Sequence, residues 1–212
     1  MNWNDLFSLD SLWTIGTIIG TIAAATYTAY KTATKKIDVE SSKRKEVPKN
    51  IKKQSDLDCA IIQEAERVKE LLDADRVQIY EFHNGLHYAN GRSASRTTCT
   101  YEVCRYGVNS CTQVLSGIPL SILPTFIKTL LDDDKLYVED IEDIKTNMTS
   151  TYNFKKSMGI KSFYDIVIHN EDNEPVGFVA VQYCHKKSKL INEDILKKFA
   201  WFVETKLSEL SE

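Results

Sequence analysis

The order of apolar and polar positions divides the chain into three parts: a uniformly apolar stretch, a polar basic stretch, and a long segment of mixed periodicity. Leu12 to Tyr30 (LWTIGTIIGTIAAATYTAY) carries no charge over nineteen residues. A helix of that length spans roughly 28 Å, close to the hydrocarbon thickness of a bilayer. Its threonines suit such a helix because their hydroxyls bond to the preceding turn. Trp13 lies near one end and Tyr27 and Tyr30 near the other, where aromatic side chains meet the interface. A cleaved signal peptide would need a positive leading region, and MNWNDLFSLD is negative. An interfacial helix would need a charged face, which this stretch lacks. The pattern predicts a transmembrane helix over residues 12–30 behind a short non-cytoplasmic N-terminus, residues 1–11.

Residues 31–53 hold nine basic against three acidic side chains and are interrupted by Pro48. This reads as a juxtamembrane linker lying against anionic headgroups. By the positive-inside rule it places everything after it in the cytoplasm, so the expected location is the cell membrane, crossed once, with the soluble domain on the cytoplasmic side. Gly16-Thr-Ile-Ile-Gly20 matches the spacing that lets two such helices approach closely, which makes Gly16 and Gly20 the candidate homodimer contact.

From residue 54 to 212 the periodicity alternates between helix and strand. Leu57, Ile61, Ala65, Val68 and Leu72 recur at helical spacing, predicting a helix over 55–73. Arg76–His83 (RVQIYEFH) reads as a strand closed by the Asn84-Gly85 turn, and a second strand is expected across Thr97–Tyr106. A helix follows over Pro124–Leu131, with proline in its first turn. Leu136–Val138 is a short strand and 139–160 a mixture of helix and loop. Ser162–His169 (SFYDIVIH) and Val176–Cys184 (VGFVAVQYC) form a hairpin around a polar turn. Asn192–Leu210 is an amphipathic helix capped by Asn192 or Ser188. The fold class is α+β: a central antiparallel sheet with the N- and C-terminal helices on one face and the irregular middle covering the other, where such folds keep a pocket.

Charge narrows the partners. The chain is −3 overall, but residues 54–212 hold 18 basic and 25 acidic side chains. A domain of that sign is a poor nucleic-acid binder, because phosphate contacts need a basic face. The five cysteines are odd in number and contain no CxxC pair, which fits reduced thiols in a cytoplasmic domain.

The densest polar stretch runs from Glu81 to Glu102. On strands, Glu81 and His83 share a face, as do Arg96, Thr98, Thr100 and Glu102. Two facing strands would set carboxylates, an imidazole and a guanidinium around one cavity, with Asn84 at its turn. Arg92 and Arg96 suit a carboxylate or phosphate, and Tyr88 and Tyr101 a planar ring. The candidate ligand-binding set is Glu81, His83, Asn84, Tyr88, Arg92, Arg96, Tyr101 and Glu102. The plainer reading is a solvated hairpin laced with ion pairs. His83, His87, Cys99, Cys104 and Cys111 do not follow zinc spacing, and a cysteine nucleophile beside His83 needs geometry that order alone does not supply. Tyr152, Asn153 and Lys156 are candidates for a pocket rim, against an ordinary capped helix. The acidic run Asp132–Asp134 reads as a solvated loop at a helix end.

The opening LLDADRVQIYEFHNG and the closing KSFYDIVIHNEDNEPVGFVAVQYCHKKSKLINEDILKKFAWFVETKLSEL resemble a GAF domain, a relative of the PAS sensory fold. The likeness runs from about residue 55 to 210 and rests on the acidic turn before Pro175-Val-Gly-Phe178, the apolar strand after it, and a final helix led by Asp194. It implies a ligand-sensing or dimerising module without catalysis of its own. Neither a bilin-attachment cysteine nor an NKFDE-type cyclic-nucleotide motif is evident, so neither ligand carries over and the small molecule is unnamed. With the chain ending at Glu212, output is expected through a partner, the dimer interface or ligand sequestration. The leading expectation is a membrane-anchored sensory module. The alternative is a membrane-tethered interaction scaffold or effector, encoded by a bacterium, a phage or a mobile element; 21 lysines against 6 arginines hint at an AT-rich genome. A small hydrolase built on Glu81 and His83 is the third reading.

Overall fold

The computed structural model describes residues 25–32, 51–185 and 192–211, and the chain divides into two compact units, Met1–Ile51 and Lys52–Glu212. In the first unit, residues 25–32 form an exposed helix. Thr28 Oγ1 donates to the Ala25 carbonyl at 2.9 Å, and Thr32 bonds the Thr28 carbonyl in the same way. Residues 12–24 of the expected span, its Gly16 and Gly20, and residues 33–50 of the linker lie outside the described residues. Among the described residues no helix is long and apolar enough to cross a membrane.

The second unit is built on a six-stranded antiparallel sheet. Its strands are β1 (Arg76–His83), β2 (Arg96–Cys104), β3 (Ile118–Pro119), β4 (Lys135–Val138), β5 (Ser162–His169) and β6 (Pro175–Tyr183), in the order β3-β2-β1-β6-β5-β4. Helix α1 (Ile51–Leu71) precedes it and α4 (Glu193–Ser211) closes it, with the Asn192 side chain accepting from the Asp194 amide as cap. Ile61, Ala65, Val68 and Leu72 from the α1 region and Leu196, Phe199, Ala200 and Val203 from α4 pack on one sheet face, against Val77, Ile79, Val179 and Val181. The β5–β6 turn is fixed by Asn170, whose side chain accepts from the amides of Asp172 and Glu174, and by Asn173 at φ 59°.

The opposite face is covered by the middle of the chain: α2 (Pro124–Asp133), α3 (Thr149–Ser157) and two short 3-10 turns, Leu120–Ile122 and Ile141–Ile144. Phe126, Leu130, Ile144, Tyr152 and Ile160 meet Tyr80, Phe163, Val167 and Phe178 there. Both faces of the sheet are therefore buried, which explains why β5 is buried over seven successive residues.

One irregularity decides which side chains face which layer. Ile79 pairs with Tyr101 but Tyr80 pairs with Cys99, so Thr100 is an extra residue in β2. A single inserted residue reverses the alternation on its strand. Thr97, Cys99 and Glu102 consequently share the middle-segment face with Gln78 and Tyr80, whereas Arg96, Thr98 and Tyr101 point the other way. Arg96, Thr98, Thr100 and Glu102 do not share a face, because the regular two-residue alternation is broken at Thr100.

Candidate functional site

The face under the middle segment is apolar in its lining and polar at its centre. Strand β1 points Arg76, Gln78 and Tyr80 into it, β6 adds Gln182, β5 adds Asp165 and β2 adds Glu102. The first five and Lys155 of α3 are all buried, and the Glu102 side chain is only 3% exposed. Burying such groups is costly unless they satisfy one another. Most of them do. Arg76 Nη1 donates to Gln182 Oε1 at 3.0 Å and Nη2 to the Asn109 carbonyl at 2.8 Å, and Nε lies 3.3 Å from Glu102 Oε1. Gln182 Nε2 donates to Gln78 Oε1 at 2.7 Å, and Gln78 Nε2 to Glu102 Oε1 at 2.8 Å. The Tyr80 hydroxyl donates to Gln78 Oε1 at 2.9 Å.

Glu102 also holds the loop after β2. Its carboxylate accepts from the Cys111 amide at 3.0 and 3.1 Å, from Thr112 Oγ1 at 2.8 Å and from the Ser110 hydroxyl. Burial alone would raise this carboxyl; the bonds from Ser110, Thr112, Cys111 and Gln78 outweigh it and hold the group below the ordinary carboxylate range.

The second polar pair is different. Lys155 Nζ lies 3.3 Å from Asp165 Oδ2, with side chains 4% and 0% exposed. The ammonium sits 4.2 Å from the Phe163 ring centroid and 5.3 Å from that of Phe126. Asp165 Oδ1 is buried without a hydrogen-bond partner. Burial pushes the Asp165 carboxyl up to about 6 although Lys155 opposes the rise, and burial pulls Lys155 below its ordinary value. Lys155, but not Asp165, lines a cavity of about 20 Å³ whose walls also include Tyr80, Thr97, Leu123, Phe126 and Phe178. Tyr80 and Phe178 stack there, centroids 4.4 Å apart and planes at 9°. That volume holds about one water molecule.

No protein-family model and no curated protein matches the sequence. Solved structures do match in shape. The PixJ GAF domain of Thermosynechococcus elongatus, in its blue-light absorbing form, aligns over 76% of this chain and 90% of its own at 15% identity, with a TM-score of 0.57. A GAF domain of Synechocystis sp. in its photoproduct state covers 73% and 95% at 13% identity, with a TM-score of 0.55. The chromophore-binding domain of a bacteriophytochrome from R. palustris covers 74% of this chain and 57% of that one at 15% identity, also with a TM-score of 0.55.

The fold is that of a GAF domain.

On this GAF fold the eight residues of the polar stretch do not surround one cavity. Glu102 alone joins the buried network. Glu81, His83, Arg96 and Tyr101 lie on the opposite sheet face, where the Tyr101 hydroxyl donates to Asp58 of α1 at 2.5 Å and His83 Nε2 is 2.9 Å from Thr98 Oγ1. Arg96 donates to the Gly117 carbonyl at 2.7 Å. Asn84, Tyr88 and Arg92 belong to the exposed β1–β2 excursion: Asn84 Oδ1 accepts from Ser93 Oγ at 3.4 Å, and the Arg92 guanidinium lies 4.7 Å from the Tyr88 ring centroid. In α3, Tyr152 is buried with its hydroxyl on Glu142, Lys156 is an exposed partner of the same carboxylate, and the inward lysine is Lys155. Asp134 of the acidic run is the left-handed C-cap of α2.

Sequence reasoning missed Arg76, Gln78, Lys155, Asp165 and Gln182. Two of them left a trace: Asp165 interrupts SFYDIVIH, and Gln182 interrupts VGFVAVQYC, each within a strand otherwise apolar enough to be buried on both faces.

Proposed function

We propose that this protein is a small-molecule sensing module without catalysis of its own. Its GAF domain would take a ligand between the sheet and the middle segment, and residues 12–30 would tether it to the cell membrane with that domain in the cytoplasm. Output would pass through a homodimer or a partner protein. The observation that carries this reading is the buried Lys155–Asp165 pair, whose lysine lines the cavity and whose carboxylate has one oxygen left over. A buried ion pair seldom stabilises a fold better than apolar side chains of similar size, so its presence inside an aromatic lining points to recognition. Lys155 retains N–H donors and Asp165 Oδ1 is a vacant acceptor. A ligand with adjacent acceptor and donor groups on a flat apolar body would satisfy both, its body lying among Tyr80, Phe126 and Phe178. The cavity as it stands admits no such body, so binding requires the segment from Ile118 to Ile127 to give way.

The test is native mass spectrometry of the full chain in mild detergent, wild type against the double variant Lys155→Met/Asp165→Leu. A stoichiometric small-molecule adduct on the wild type, absent from the folded double variant, is the expected result. An adduct retained by the double variant, or a ligand-free wild type that no metabolite stabilises against heat, would remove the support for this site.

A docking platform is the second reading. It draws on exposed apolar side chains, chiefly Leu86 at 82%, Trp201 at 68% and the fully exposed Tyr106, and a ligand-free wild type would favour it.

A further inference from the structure

Three thiols that the ligand site does not use converge on Arg76. Cys104 is the ladder partner of Arg76 across the β1–β2 pairing, and Gln182 is its partner across β1–β6, with Cys184 two residues further along that edge. Cys111 comes from the loop above: Asn109, two residues before it, accepts from Arg76, and its own amide donates to Glu102. Glu102 and Cys104 are next-but-one neighbours on β2, about 7 Å apart along the strand, so the Cys111 amide is held at a side chain two residues before the Cys104 end of β2. Cys184 lies on the far side of β1, about two strand spacings, or roughly 10 Å, from Cys104, beyond the span of a disulfide. Cys104, Cys111 and Cys184 are half-buried and unbridged, whereas Cys99 is buried and Cys59 is exposed on α1.

We infer that Cys104 and Cys111 form an oxidation site that closes to a disulfide when the protein meets a peroxide. Arg76 supplies the directing charge. Burial pushes both thiols up, and the Arg76 charge opposes that rise at Cys104 and at Cys111. The Cys104 thiolate attacks one peroxide oxygen, forming an S–O bond and releasing hydroxide, which takes the Cys104 proton and leaves as water. The Cys111 thiolate then attacks the sulfenic sulfur; the S–S bond forms, the S–O bond breaks, and hydroxide leaves with the Cys111 proton as a second water. Two thiols lose two electrons and one peroxide gains them. Only six residues, Arg105 to Ser110, separate the partners in sequence, so little chain must move. Drawing Cys111 toward Cys104 takes its amide off Glu102, which loosens the grip on the loop carrying Tyr106 and Val114, both exposed.

The experiment is hydrogen peroxide treatment of the full chain, followed by mass mapping without reduction. Trypsin separates the partners at Arg105, leaving Cys104 in residues 97–105 and Cys111 in residues 106–128. The expected product is these two peptides joined, with loss of two hydrogen atoms per chain, reversal by a dithiol, and fragmentation that locates the bond at Cys104 rather than Cys99. The bond should persist in Cys59→Ser and Cys184→Ser and vanish in Cys111→Ser, a loop position that packs only partly against the middle-segment layer. Oxidation confined to Cys59, sulfinic acids without a crosslink, or a bond running through Cys184 would each overturn the assignment. The wild-type map decides the matter even where a serine variant folds poorly.

Discussion

Replacing Lys155 by methionine separates the two explanations of the buried pair. The substitution keeps the side-chain length but leaves Asp165 buried with neither oxygen paired. Removing one member of such a pair costs about 3–5 kcal/mol, a large share of a domain's stability. The cost depends on pH, and its sign follows from Asp165. Its folded value, about 6, already exceeds the ordinary 3.8 because of burial, and Lys155 holds it from going higher. Without the lysine the folded value rises further. The folded state then binds the proton more tightly than the unfolded one, so stability is fully present below the unfolded value near 3.8 and is lost as pH rises through the folded one. The slope in that window is about 1.4 kcal/mol per pH unit. Urea denaturation followed by circular dichroism between about pH 5 and about pH 8 should show Lys155→Met approaching wild type at the acid end and falling away steadily above it. The double variant Lys155→Met/Asp165→Leu should be flat over the same range and equal to wild type or up to about 4 kcal/mol more stable. If the double variant is as unstable as the single, the pair holds the fold together and is not kept for a ligand. A pH-independent Lys155→Met would show that Asp165 is ionised in the folded variant across that range, so that burial does not hold its proton there.

Glu102→Gln should cost about 3 kcal/mol by breaking the Arg76 pair; because the folded carboxyl lies low, its stabilisation is lost as pH falls through that value, so the variant's acid limb should be flatter and its Cys111 amide should exchange faster. Gly177→Ala should destabilise by about 3 kcal/mol or more in a thermal melt, since the new methyl would sit 2.0 Å from the Tyr80 carbonyl oxygen across the β1–β6 pairing; wild-type stability would mean the two strands separate there readily. Tyr101→Phe should lose about 1 kcal/mol with its bond to Asp58, and an unchanged melting curve would make that bond a solvent-exchangeable one.

The elements were legible because their signals are local. Arg76–His83 and Ser162–His169 have the bounds their apolar content predicts, and α2 begins at Pro124 as its first-turn proline requires. The second strand is shorter than expected at its end, stopping at Cys104, and starts at Arg96 where β3 pairs with it. The site was not legible, for two physical reasons. Its contacts are remote in sequence: Gln78 and Gln182 bond across 104 positions, and nothing in local order shows that β1 lies between β2 and β6. The extra residue at Thr100 then turned Arg96 away from Glu102, which periodicity cannot anticipate. Density of polar residues pointed to the β1–β2 excursion, where side chains are polar because water reaches them. The informative residues were the isolated polar ones at inward positions of apolar strands.

The ring under the Lys155 ammonium has a use in spectroscopy. Protons held about 4 Å above an aromatic plane feel its ring current, and an amine sealed from solvent exchanges its protons slowly. With Phe163 below it at 4.2 Å, the end of the Lys155 side chain should resonate apart from the other lysines of the chain. That single resolved signal would report on the occupancy of the cavity, in the intact protein, before any ligand has been identified.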